Sequence, residues 1–134
     1  MKAAGRSVAV WLLIALAETL HGTARTLWLA PYLGDFRARQ VAVFTGALII
    51  LGIACALIRW IGVTQTRGLL GIGILWLILT LAFEFSLGIL VFHASWERMT
   101  SDYNLARGGL LPLGMVSLTL SPLLATRIRA ALSR

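Results

Sequence analysis

The sequence predicts an all-α integral membrane protein, an up-down bundle of four spanning helices formed as a single transmembrane domain over residues 1–134. Three observations predict it. The chain is 59% apolar with a mean hydropathy of +0.89, more apolar surface than a small soluble domain can hide. Only 13% of its residues are charged, too few for a water-facing shell. Four apolar stretches, at about residues 8–31, 41–60, 68–93 and 109–126, each approach or exceed the roughly 20 residues that a helix needs to cross the hydrocarbon core. The expected connectors, 34–40, 61–67 and 94–108, are short, so successive helices run antiparallel.

Charge orients the bundle. Lys2, Arg6, Arg59, Arg67, Arg127, Arg129 and Arg134 have no acid near them, whereas Glu18, Asp35, Glu84, Glu97 and Asp102 interleave with Arg25, Arg37, Arg39, Arg98 and Arg107. In an up-down bundle the first set gathers at one membrane face. The positive-inside bias then puts both termini in the cytoplasm of an inner membrane. The formal charge of +7 reads as topology rather than as a nucleic-acid footprint, because no basic helix face with an aromatic platform accompanies it. Trp11 and Trp60 are expected at the inner interface, Trp28, Tyr32, Trp96 and Tyr103 at the outer one, and Trp76 among packed helices. A second reading takes Lys2, Arg6 and the apolar run up to Ala15-Leu16-Ala17 as a short secretory signal, but the run continues past Ala17.

On the first helix, Glu18, His21, Gly22 and Arg25 share one face. Glu18 lies about 15 Å along it from Val8, within the hydrocarbon slab. The second helix carries Thr45, Gly52 and Arg59 at heptad spacing, and Cys55 as a lone packing residue that excludes an intrachain disulfide. The third carries a stripe of Gly73, Thr80, Glu84 and Gly88, with Glu84 about 24 Å beyond Gly68. The fourth carries Gly114, Ser117 and Ser121. Pro112 falls in its first turn, and Pro122 deeper, where it frees the carbonyl of Leu118 for a partner or a cavity. Small and polar faces suit close packing in lipid.

A bundle assembled on those faces brings Glu18, His21, Arg25 and Glu84 together as a candidate site for a solute or ion, with Arg25 beside either carboxylate. Asp35, Arg37, Arg39, Asp102 and Arg107 form an outer-side charge network above it. Intramembrane charges mark functional sites by default, although Glu–Arg pairs between helices also serve only to fix register. Glu18-Thr-Leu-His21 has the Glu-x-x-His spacing of di-metal bundles, but it occurs once and Glu84 is the sole further carboxylate in a span, so no metal site is expected. No nucleophile elbow and no phosphate loop is present, so neither an enzyme nor a cofactor is expected.

Glu18-x-x-x-Gly22 followed by Asp35 corresponds to Glu84-x-x-x-Gly88 followed by Asp102, with Gly46 and Gly114 continuing the match. This weak repeat is compatible with a duplicated two-helix hairpin. Leu16-Ala17-Glu18-Thr19-Leu20-His21-Gly22-Thr23 resembles the first helix of the small multidrug resistance transporters, which implies four helices and a proton-exchanging Glu18. The Gly-Thr pair stands one position further from the Glu than in that family. Nothing outside these eight residues matches, and Glu84 has no counterpart there. Two function classes follow: a small transporter or binder of a solute or ion, acting as a homo-oligomer, or a non-catalytic membrane subunit of a larger complex. The bilayer is the partner common to both.

Overall fold

The structure, a computed structural model, describes residues 2–101 and 103–132. Its spans are α1 (Lys2–Leu33), α2 (Asp35–Ile61), α3 (Thr66–Val91) and α5 (Leu111–Leu132), each long and apolar enough to cross a membrane. A short helix, α4 (Trp96–Ser101), and a 3₁₀ turn (Leu105–Arg107) lie between α3 and α5. The chain is an all-α, four-helix membrane bundle.

Three of the four spans, α1, α2 and α5, are longer than hydropathy alone suggests, because polar residues continue them beyond the apolar runs. The expected connector 34–40 contracts to Gly34, whose φ of 84° and ψ of 154° break the helix in a single residue. Helix resumes at Asp35, where a carboxylate favours a helix N-terminus. Gly62, at φ 82°, closes α2 with a left-handed cap. The expected connector 94–108 holds α4 and the 3₁₀ turn, and α3 stops at Val91, short of His93, which has a φ of 51°.

Two stretches widen to π-turns, Arg25–Leu29 in α1 and Leu87–Val91 in α3. In α1 the cause is in the sequence. Pro31 has no N–H for the carbonyl of Leu27, and the preceding Ala30 N–H reaches back to the carbonyl of Arg25.

Contacts run round the bundle in the order α1, α2, α5, α3, with α1 touching α3 more lightly. The packed core lies toward the end that carries the lone bases. It combines Val10 and Ile14 of α1, Ala54, Ile58 and Ile61 of α2, Leu69, Ile72 and Trp76 of α3, and Leu118 and Ala125 of α5. Trp76 is fully buried and its indole N–H donates to the Ser7 carbonyl at 2.9 Å, so it is the packing residue expected. Gly73 lets α3 approach α5 so closely that a Cβ there would collide with the carbonyl oxygen of Thr119.

Pro122 does not open a cavity. It is buried in the core, and the Ser121 hydroxyl donates to the Leu118 carbonyl at 2.7 Å, satisfying locally the group that the proline frees. The Thr45–Gly52–Arg59 face is not the face that α2 turns to the core, although Thr45 hydrogen-bonds His21 of α1. All three are exposed and a Cβ at Gly52 would meet nothing, while α2 buries Ala38, Gly46, Ala54, Ile58 and Ile61 instead.

The lone bases hold the helix ends at this side. Arg6 donates to the carbonyl of Trp60, one of the last of α2, at 2.7 Å, and its guanidinium sits 5.2 Å over the Trp60 ring. Arg129 of α5 donates to the Cys55 carbonyl at 2.8 Å.

Candidate functional site

The half of the bundle away from this core is hollow. A cavity of about 480 Å³ runs from Trp11 and Ile14, at the level where core packing ends, to Phe36, Gln40 and Gly108 near the loops at the other end. Glu18, His21, Arg25 and Glu84 all line it, so the four site residues expected from helix periodicity do share one space.

The floor is aromatic and hydrogen-bonded. Trp11 donates from Nε1 to Thr80 Oγ1 at 3.0 Å and meets Phe83 edge-on at 6.0 Å. Trp11 is therefore turned into the bundle rather than marking the inner interface, because Thr80 offers its N–H an acceptor within the slab.

Glu18 sits against α2. Its carboxylate rests in the notch left by Gly46, where a Cβ would lie 2.9 Å from Oε2. Oε2 is 3.5 Å from His21 Nδ1, and Oε1 is buried without a hydrogen-bond partner. His21 Nε2 meets Thr45 Oγ1 at 2.6 Å, and that hydroxyl also lies 3.4–3.5 Å from the carbonyls of Ala42 and Val41. A hydroxyl donating to its own helix accepts from His21 Nε2–H, which leaves Nδ1 facing the carboxylate. That contact is favourable when one proton lies between Nδ1 and Oε2.

Glu84 approaches from α3 and lies close enough to Glu18 for their charges to interact. Arg25 stands two turns beyond Glu18, toward the mouth. Among the described residues it forms no ion pair with either carboxylate, and its Nε is buried without a hydrogen-bond partner. Its charge bears on His21 instead. The expected Arg25–carboxylate pairing is thus not formed among the described residues: Glu18 lies against Gly46 of α2, with His21 Nδ1 beside it at 3.5 Å.

The outer-side network divides. Asp35 and Arg39 form an ion pair at 2.5 Å across one turn of α2, and Arg39 lines the cavity while Asp35 is exposed. Arg37 is exposed on α2 and does not line the cavity. Arg107 lies on a separate shallow depression with Glu97 and Asn104. Asp102 lies outside the described residues, as does Arg134. Asp35, Arg37 and Arg39 thus act from the first turns of α2 rather than from a loop.

Comparison of the chain with protein-family models, curated proteins and solved structures found no match.

Two contributors escaped sequence reasoning. Gly46 was legible only as a repeat position, although it shapes the seat of Glu18. Gln40, unremarkable in the sequence, donates from Nε2 to the Gly108 carbonyl at 2.7 Å and ties the α3–α5 connection to α2 at the rim. Among the described residues no group of three or more His, Cys, Asp or Glu side chains could hold a metal ion.

Proposed function

We propose that this multi-pass membrane protein binds and moves a small solute or ion through the cavity between its spans, without catalysing covalent chemistry. The observation that carries the reading is a cavity lined by opposite charges that do not pair with each other, Glu18 and Arg25, with Glu18 Oε1 and Arg25 Nε left without a hydrogen-bond partner. Charges kept only to fix helix register are favourable in lipid when satisfied and dry. Buried orphan atoms cost about 1–3 kcal/mol each, and a ligand or water toward which these side chains turn would remove that cost.

The arrangement suits a one-sided binding state. The site communicates with the loop end that bears the acids, and the core from Val10 to Trp76 closes the end that bears the lone bases. With both termini in the cytoplasm of an inner membrane, as the lone bases favour, the cavity opens outward. Passage requires the core end to loosen, and four helices enclose little volume, so we place the pathway in a homo-oligomer. The Glu18–His21 pair supplies a proton position, so coupling to a proton gradient is part of the reading.

The runner-up is a non-catalytic subunit of a larger membrane complex. It is favoured by the His21–Thr45 and Gln40–Gly108 hydrogen bonds, which lock helices together as a scaffold would. Proteoliposome flux driven by a pH gradient separates the two. Wild type is expected to move protons or cations, with Glu18→Gln and Glu84→Gln impaired. Wild type inert in every flux assay, while it co-purifies stoichiometrically with another membrane protein, overturns the transport reading.

A further inference from the structure

We infer that the cavity takes a small zwitterion, a molecule carrying an ammonium and an oxyanion, with the ammonium seated on Glu18 and the oxyanion on Arg25. This deepens the binding reading above and rests on it. Two side chains of opposite charge line one cavity without pairing with each other, Glu18 and Arg25, and each keeps one polar atom, Oε1 and Nε, without a hydrogen-bond partner. A ligand with one charge satisfies only one of them. A bare cation would leave the half-buried Arg25 guanidinium without an anionic partner in the slab, the costly arrangement in low dielectric.

The placement of the charges orders the ligand. Glu18 and Arg25 are seven residues apart on α1, about 10 Å along the axis. Side chains on a helix lean toward its N-terminus, and the longer Arg25 side chain reaches back further than that of Glu18, so the gap between the charged groups is shorter than the backbone separation. The ammonium end lies deep, where Glu84 adds negative charge, and the oxyanion end lies toward the mouth, where Arg39 also lines the wall. Val43 of α2 and Leu87 of α3, one turn toward the mouth from Gly46 and Glu84, supply apolar wall between the polar ends, which suits a short methylene spacer. The cavity, at about 480 Å³, has the size of a small-molecule site. The same chemistry is offered by a free ω-amino carboxylate and by a phosphatidylethanolamine headgroup.

The test measures binding to the purified full chain, in detergent and in phosphatidylglycerol nanodiscs, by calorimetry and thermal shift. The probes are β-alanine, 4-aminobutyrate, 5-aminopentanoate and 6-aminohexanoate, with butylamine and butyrate as single-charge controls and phosphatidylethanolamine nanodiscs as the lipid arm. At least one ω-amino carboxylate is expected to bind about tenfold or more tighter than either control, the effect of one further charge-assisted hydrogen bond. Glu18→Gln should reduce that ligand to the affinity of butyrate, Arg25→Gln to that of butylamine, and Arg25→Lys should restore part of it. Loss of soluble-ligand binding in phosphatidylethanolamine nanodiscs, by competition, assigns the zwitterion to the headgroup. Butylamine binding as tightly as every zwitterion, unaltered in Arg25→Gln, overturns the inference. So does failure of all probes and lipids to bind, and Glu18-dependent proton flux in that case would leave the transport reading standing.

Discussion

Glu18 and Gly46 fit together as side chain and seat: the carboxylate of α1 lies where the Cβ of residue 46 would be, 2.9 Å from Oε2. The one position on α2 that tolerates this approach is thus occupied by the one residue without a side chain. Because the opposing atom is the end of a flexible chain, Gly46→Ala is expected to displace the carboxylate rather than the helix. Stability should change by less than about 1 kcal/mol. Glu18-dependent flux or ligand binding should fall severalfold in the same variant. A normal Glu18-dependent activity in Gly46→Ala would show that the seat does not position the group.

Gly22 allows the opposite experiment. It lines the cavity, and a Cβ built there meets nothing within 4 Å. Gly22→Leu should therefore fill space without disturbing packing, and its greater helix propensity favours the folded state by up to about 1 kcal/mol. Transport and ligand binding should be blocked while thermal stability is kept or raised. Unaltered flux through a well-folded Gly22→Leu protein would place the pathway elsewhere.

The packed half should behave differently from the hollow half. Gly73→Ala forces a methyl group into the Thr119 carbonyl and should cost about 1–3 kcal/mol by overpacking. Trp76→Ala empties the largest core site and should cost about 3–5 kcal/mol. Trp76→Phe, which loses chiefly the hydrogen bond to Ser7, should cost about 0.5–1.5 kcal/mol. Reversible unfolding in mixed micelles reads all three. Equal losses for the alanine and phenylalanine variants at position 76 would contradict the packing assignment.

Orientation is open to direct labelling. In a Cys55→Ala background, single cysteines replacing Arg67 and Arg98 should react with membrane-impermeant maleimide from opposite sides. The residue 98 site should label in intact cells and the residue 67 site only after permeabilisation. The reverse pattern would invert the bundle, and the cavity would then open to the cytoplasm.

The proposed coupling to a proton gradient runs through the contact of His21 with Glu18, and it can be tested at Thr45. Thr45→Val removes the hydroxyl that receives His21 Nε2–H, freeing the ring to turn from Glu18. Proton-driven flux should fall about tenfold, the worth of a hydrogen bond of about 1.4 kcal/mol. Flux that stays unchanged in Thr45→Val would remove the Glu18–His21 pair from the coupling step.

Much was legible in the sequence, for a physical reason. Lipid demands about 20 apolar residues per crossing and internally satisfied backbone, so the number and succession of the spanning helices follow from hydropathy alone. The cost of charge in the slab likewise forces Glu18, His21, Arg25 and Glu84 toward the bundle, and one helical face can be read by counting residues. Which face of α2 packs could not be counted. The heptad stripe of Thr45, Gly52 and Arg59 lies outside, and Gly46 and Ala54 lie inside, because the fit against α1 and α5 is a matter of shape between helices far apart in sequence. Trp11 turned inward because Thr80, 69 residues away, offers an acceptor, and Pro122 is quiet because Ser121 turns its hydroxyl to the Leu118 carbonyl. The sequence by itself determined a four-span membrane bundle with its charges divided between two ends. Only the tertiary structure decided that one end is packed and the other hollow, since local periodicity says which residues avoid lipid but not whether they meet each other or a cavity.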